Sequence, residues 1–422
     1  MKSAMDKRIF SNSAWMMLEK FFGVFGLIFV NAYMAKYIGP ESFGKLVFTT
    51  SIFIFVQTLS WFGAQNILFK RFSENIQSGI RLAIATQSMR CYIYILVSVC
   101  ALLYLWFSSD LLTFIFGVGN CIASYFIVND IYSIYNNSRL ISVVNALTNI
   151  TGLILALGLR YFLVFFEAEP YTMVFPIIVL AMVPYLLRKV YFYKNIKNIK
   201  NIKKYNKYIF VTGGSLVLST LSIVLYTQIS SIFLAKFTSF ANLGIYNVAL
   251  ILGSAWGFIN IALITSFFSK IYAEKNESIE LSYLKQLHWL IIIIALCVLI
   301  GVLWLGGWVI SLLYGSQFAG AEKLLPLIVF ATMLSALGTI SYRYMIKQNG
   351  YKYLSIKMMS ISALSIPLSY VLIKGYGIVG AAICFVIIEF LSLTLANYLF
   401  KDRLILKLHL SLIGFKNDKE SL

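Results

Sequence analysis

The sequence predicts an all-α integral membrane protein, with about twelve transmembrane helices in two parallel six-helix lobes around a central cavity. Three observations carry this reading. Twelve apolar stretches of about twenty residues follow one another, the length an α-helix needs to cross a hydrocarbon core about 30 Å thick. The 35 Lys and Arg residues divide unevenly between alternate connections. Short strings recur at an offset of 200 residues.

The spans fall at roughly 12–34, 44–64, 82–107, 111–134, 140–165, 171–193, 208–234, 243–269, 288–313, 323–346, 353–373 and 378–400. A chain that is 60% hydrophobic, 12% charged and of mean hydropathy +0.83 is no soluble globular protein, where about a quarter of residues carry charge. The longest connections, 65–81, 194–207 and 270–287, are too short to bury a core of their own. The apolar run after Met1–Arg8 exceeds the length of a secretory leader and lacks a small-residue cleavage site, so it is expected to remain as the first helix.

Placing both termini in the cytoplasm puts 28 basic residues on or toward the inward side and six toward the outward side, with Lys20 inside the first helix. The positive-inside rule selects that orientation, in a bacterial inner membrane. The densest basic run extends from Arg188 and Lys189 through Lys194, Lys197, Lys200, Lys203, Lys204 and Lys207. Because the excess follows the topology, it reads as an anchor on anionic headgroups and not as a nucleic-acid surface. The five cysteines lie in apolar stretches without a Cys-x-x-Cys pair, and His288 and His409 are the only histidines. Neither a metal site, a cofactor nor a disulfide framework is expected.

The repeat pairs Ala35-Lys36-Tyr37 with Ala235-Lys236-Phe237, and Ser42-Phe43-Gly44 with Asn242-Leu243-Gly244. Helices one and seven then cross in the same direction, which makes the halves parallel bundles with a cavity expected at their interface. The expected organisation is an N-terminal lobe at 1–193, a polybasic linker at 194–207, a C-terminal lobe at 208–400 and a cytoplasmic tail at 401–422. Pro176, Pro184, Pro326 and Pro367 lie within spans, where each can kink its helix.

An ionisable side chain at the centre of a span costs at least about 2.5–3.5 kcal/mol, which makes it a candidate for function. Lys20, Arg90, Arg160 and Arg343 are the candidates for binding an anionic substrate. Glu19, Asp130 and Glu389 are the candidates for ion coupling, to H+ or Na+, if transport is coupled. Glu19 and Lys20 diverge by about 100° on their helix, so one of them faces the protein, and Lys20 is the choice. Glu389, the deepest acid, requires either a cation from a neighbouring helix or a proton. Mid-span Tyr92, Tyr94, Tyr125, Tyr132 and Tyr226, with Asn129, Asn145, Asn149, Gln228 and Asn260, suit a hydrated interior with flat apolar faces for a sugar.

Several strings together resemble the Wzx-type O-antigen flippases, the polysaccharide-transporter branch of the MOP exporter superfamily. They are Asn12, Trp15 and Lys20 in helix one, Gly39-Pro40-Glu41-Ser42-Phe43-Gly44 at the first outward turn, and Gly244 with Tyr246 opening helix eight. Leu313-Tyr314-Gly315-Ser316-Gln317-Phe318 with Ala321 precedes helix ten, and Gly377-Ile378-Val379-Gly380-Ala381-Ala382 opens helix twelve. The resemblance implies a MATE-like fold and alternating access. It also implies an undecaprenyl-pyrophosphate-linked oligosaccharide, an O-antigen or capsule unit, as substrate, moved from the cytoplasmic to the periplasmic leaflet. A cationic cavity would receive the pyrophosphate and acidic sugars, and polysaccharide polymerase or assembly proteins would be partners beside the membrane lipids. One position departs: where many relatives carry an Asp in helix seven, this chain reads Gln228-Ile229-Ser230-Ser231, so any coupling falls to another acid.

The alternatives are a multidrug and toxin extrusion antiporter, a peptidoglycan-precursor flippase, and a membrane polymerase or ligase. The antiporter would favour acids over cations within the spans, and the precursor flippase commonly has two more helices. The enzyme is the weakest reading, because the outward loops offer no long segment bearing catalytic Arg, His or Asp.

Overall fold

The computed structural model describes the backbone of residues 2–195 and 206–412, with most side chains before Phe22 outside the description. Lys197, Lys200, Lys203 and Lys204 of the basic run lie outside the described residues, as do the side chains of Glu19, Lys20 and Lys207. Among the described residues every regular element is helical. The helices are α1 (Lys2–Trp61), α2 (Ala64–Glu74), α3 (Ile76–Ala85), α4 (Gln87–Ser108), α5 (Leu111–Asn129), α6 (Ile131–Ser138), α7 (Ser142–Phe165) and α8 (Val174–Asn195). They continue with α9 (Asn206–Phe237), α10 (Phe240–Ser254), α11 (Gly257–Ala273), α12 (Glu277–Leu313), α13 (Leu325–Lys347), α14 (Tyr351–Leu393), α15 (Leu395–Tyr398) and α16 (Leu404–Leu412).

Ten stretches of the described residues are long and apolar enough to cross a bilayer, and the chain is a multi-pass membrane protein. The last of them, Tyr351–Tyr398, holds 48 residues, or about 72 Å at 1.5 Å per residue. That is twice a bilayer core and more, and the stretch breaks at Gly377, where φ is 57°. The 60 residues of α1 likewise break at Gly39, with φ 77°, just before Pro40. Both positions need the left-handed backbone that glycine adopts without a Cβ clash. A single glycine thus replaces the expected loop at 35–43. Counting each broken helix as two crossings accounts for the twelve spans of the sequence.

The prolines divide by position. Pro184 and Pro367 lie inside α8 and α14. Pro326 occupies the first turn of α13 and Pro176 the third residue of α8, each just after a 3-10 segment (Ser316–Leu324 and Pro170–Met173), at helix starts where proline is well tolerated.

The chain forms two compact units, Met1–Gly244 and Ile245–Leu422. In the first, α1 packs against α5, α7 and α9, and α8 against α5 and α7. Small residues set the closest approaches: a Cβ on Gly152 would stand 2.8 Å from the Pro184 ring, and one on Gly26 would stand 2.2 Å from Leu153. The repeat-related glycines meet in this unit, since a Cβ on Gly44 would lie 1.7 Å from Phe240 O and one on Gly244 2.3 Å from Pro40 O. In the second unit α13 packs against α12 and α14. Its core gathers Leu284, Leu287, Ile291, Ile340, Met345 and Leu354, with Ile405 and Leu408 of α16 covering one end.

Candidate functional site

Among its described residues the first unit buries three arginines, and their surroundings differ. Arg188 is 5% exposed and each of its nitrogens has a partner. Nε donates to Thr148 Oγ1 at 2.9 Å, one terminal nitrogen pairs with the Asp130 carboxylate, and the other donates to Asn149 Oδ1 and Asn145 O. Asp130 also accepts from Ser133 N at 3.1 Å, which caps α6 and explains why the fourth span breaks there. Asn145 completes the cluster by donating to Ser133 O and accepting from Asn136, both at 2.9 Å. Arg188 therefore leaves the headgroup-anchoring run to which the sequence assigned it, because a carboxylate within the unit holds it inside. Asp130, an ion-coupling candidate, is here the other half of that ion pair.

Arg90 is 1% exposed. Its terminal nitrogens donate to Val128 O at 3.0 Å and Ala83 O at 3.4 Å, Nε has no partner, and the guanidinium lies 5.0 Å from the Trp61 ring centroid. Its charge stands behind Trp61, held by carbonyls. Arg160 is 3% exposed on the same α7 face as Asn145 and Gly152, and its Nε and one terminal nitrogen have no hydrogen-bond partner. A buried guanidinium without an anion is costly unless one arrives.

A cavity of about 290 Å3 opens beside Trp61, between α1, α5 and α9 of the same unit. Gln57, Thr58, Gln65 and Thr220 supply its polar lining, and Ile127 and Ile223 are among its apolar walls. The chain turns there through two left-handed residues, Phe62 (φ 45°) and Gly63 (φ 70°), which end α1 and start α2. The Trp61 indole N–H is buried and has no acceptor. Sequence reasoning did not single out Trp61, whose signal was the Trp61-Phe62-Gly63 punctuation at the end of a span.

In the second unit Glu389 is buried, and Lys357, buried as well, donates to Asn397 Oδ1 at 2.8 Å and feels the Glu389 charge. Lys357 was missed because it stands near the start of its span, where a lysine reads as interfacial. The depth of Glu389, with its need for a cation, was the signal. Arg343 is half-buried with its guanidinium 5.8 Å from the Phe268 centroid. The two histidines meet with ring centroids 5.7 Å apart. His288 Nδ1 lies 2.7 Å from Leu284 O and therefore carries the proton, and His409 Nδ1 lies 3.1 Å from the Tyr398 hydroxyl. Among the described residues no group of three His, Cys, Asp or Glu side chains could hold a metal ion.

No family model matches the sequence, and no curated protein matches it. Solved structures do resemble the fold. An inward closed conformation of the lipid II flippase MurJ superposes with a TM-score of 0.71 at 16% identity, covering 96% of this chain and 91% of that one. An inward-facing multidrug resistance MATE transporter of the MOP superfamily gives 0.66 at 13% identity, over 94% and 96%. A Vibrio cholerae MATE transporter gives 0.62 at 12% identity, over 94% and 96%. The chain has the fold that these transporters share.

Proposed function

We propose that the protein is a flippase that moves an undecaprenyl-pyrophosphate-linked oligosaccharide, an O-antigen or capsule repeat unit, between leaflets of the bacterial inner membrane by alternating access. The observation that carries the reading is the fold, similar over 96% of the chain to a protein described as a lipid II flippase. The balance of buried charge agrees with an anionic cargo. Among its described residues the first unit holds three buried arginines, of which Asp130 neutralises one. Arg160, which has no carboxylate partner, and Lys20 are the proposed contacts for the pyrophosphate, and Arg343 is a further cationic candidate at the half-exposed end of α13. Arg90 contributes by holding Trp61.

Glu389, close to Lys357, is the proposed site for H+ or Na+ coupling, with Glu19 as the other acid open to that role. Both termini are proposed to be cytoplasmic, and a polysaccharide polymerase is the expected partner. The multidrug antiporter has the support of the MATE similarity. Against it, among the described residues the cavity beside Trp61 has no carboxylate in its lining to attract a cationic drug.

The test is deletion of the gene. Surface polysaccharide should disappear while lipid-linked repeat units accumulate on the cytoplasmic leaflet. Normal surface glycan in a strain without a second flippase would end this reading, and drug hypersensitivity in that strain would promote the antiporter.

A further inference from the structure

The eighth span of the sequence, 243–269, breaks in the structure with neither a proline nor a positive-φ residue at the break. α10 ends at Ser254 and α11 begins at Gly257. Across the junction the hydrogen bonds tighten to three-residue spacing, with Ala255 N donating to Leu252 O at 3.3 Å and Ile259 N to Trp256 O at 3.0 Å. Trp256 stands at φ −68°, ψ −9°, about 30° in ψ from a regular helix. The breaks at Gly39 and Gly377 differ, because their positive φ values lie across a steric barrier from the helical basin. Those two are fixed corners, whereas a small turn straightens the α10–α11 junction.

The packing on the two sides of the junction is unequal. Gly253 is seated on α13, where a Cβ would stand 2.7 Å from Ile328 Cγ2, while a Cβ on Gly257 would meet nothing within 4 Å. One side is anchored and the other has room. Beyond the junction α11 buries a stripe of Trp256, Asn260, Ile264, Phe268 and Ile271. Trp256 packs with Ala295 and Val329, and Ile264 joins the core of Ile291, Leu334 and Ile340. Asn260 lies on the stripe between them, 4% exposed, and neither its amide oxygen nor its amide nitrogen has a hydrogen-bond partner. Asn145 of the first unit, by contrast, uses both ends of its amide. An amide buried unused destabilises the packing that buries it, and it regains its bonds once α11 turns it toward water or a carbonyl of the junction.

Resting on the flippase reading, we propose that the α10–α11 junction is a hinge of the transport cycle and that Asn260 biases it. In this arrangement the amide is unpaired; in the alternate one α11 turns about the junction and the amide is hydrogen-bonded. The unused amide raises the energy of the first arrangement and keeps the two close enough to exchange.

The experiment compares the full-length protein in nanodiscs with its Asn260→Leu, Asn260→Val and Asn260→Ser variants, and tests each for restoring surface polysaccharide to the deletion strain. Asn260→Leu or, where the longer side chain overpacks the site, Asn260→Val should raise the unfolding temperature by about 2–4 °C. The same variant should slow amide exchange at 255–259 about threefold or more and cut export about fivefold at equal protein level. Asn260→Ser, which keeps a donor and an acceptor, should retain export within about twofold. Gly257→Ala, which stiffens the junction without a clash, should slow exchange there and reduce export, whereas Gly301→Ala, equally uncrowded within α12, should leave both unchanged. A lowered unfolding temperature in both apolar variants would make the amide a structural contact of this arrangement and overturn the hinge, as would full export or unchanged exchange in both. Normal surface glycan in the deletion strain would end the flippase reading, while the temperature and exchange measurements, which need no cargo, would still decide the hinge.

Discussion

Each unit interrupts a helix beside a buried tryptophan, and the two interruptions have different surroundings. In the first unit Trp61 precedes Phe62 and Gly63, stacks on Arg90 and borders a cavity with amide and hydroxyl walls. In the second, Trp256 precedes Gly257 between α10 and α11 and is enclosed by Ala295, Val329, Ile294, Val298 and Leu299. Both indole N–H groups lack an acceptor. An orphaned donor is therefore not evidence of a site by itself. What distinguishes Trp61 is the open volume beside it, with Gln57 and Thr58 in its lining, whereas Trp256 packs in an apolar cluster and Asn260, one helical turn on, is buried with its amide unpaired.

A purely structural loss sets the upper end of the scale against which these regions are compared. Arg188→Leu strands the Asp130 carboxylate inside the first unit and should cost about 3–5 kcal/mol, read as loss of folded protein in detergent. Asp130→Asn in the same chain should recover part of that loss by removing the stranded charge.

Arg90→Met should have a smaller effect on folding, about 1–3 kcal/mol, because it removes the side-chain donor to Val128 O, whereas Ala83 O keeps the Thr86 hydroxyl at 3.4 Å. Its effect on glycan export should exceed what the fall in protein level explains. Equal falls in export and protein level would place Arg90 in the scaffold alone.

Smaller still is the paired change to phenylalanine. Trp256→Phe removes an unpaired donor from an apolar shell and should leave export and stability within experimental error. Trp61→Phe narrows the ring on which Arg90 lies, 5.0 Å from its centroid, and should lower the stability of the first unit by about 0.5–1 kcal/mol, read as protein level. Identical behaviour of the two variants would erase the distinction between the regions.

The mildest effect concerns the histidines of the second unit. Burial, and secondarily His288, lowers the His409 imidazole from its ordinary value near 6.5 to about 4. The unfolded segment takes up its proton first, so the stability of the docked α16 is fully present above about pH 6.5 and declines as pH falls toward 4. Amide exchange within 404–412 should accelerate over that window beyond the intrinsic rate; His409→Leu should reduce the pH dependence, and His409→Leu with His288→Leu, which removes the imidazole packed against it, should abolish it.

The helical class and the order of the spans were legible because burial in lipid demands long apolar helices that satisfy their own backbone. That demand is local, and it marks the chain in stretches of about twenty residues. The breaks at Gly39 and Gly377 were legible as turns, although the structure contracts each to a single residue. The partners of buried charges were not legible. Arg188 looked like one more headgroup lysine or arginine until Asp130, 58 residues away in sequence, drew it inward. Lys357 looked interfacial until Glu389 came to it from the other half of α14 and Asn397 from α15. The cavity is further still from sequence reasoning, since Gln57, Ile127 and Thr220 come from three separate helices.

The sequence by itself thus determined a multi-pass helical membrane protein, because hydropathy is a property of each segment. Only the tertiary structure decided which cations are neutralised, which stand unpaired and where polar groups surround a cavity, because pairing depends on which helix faces meet. The energy of a buried charge or amide is set by its neighbours across that meeting and not by its neighbours in the chain.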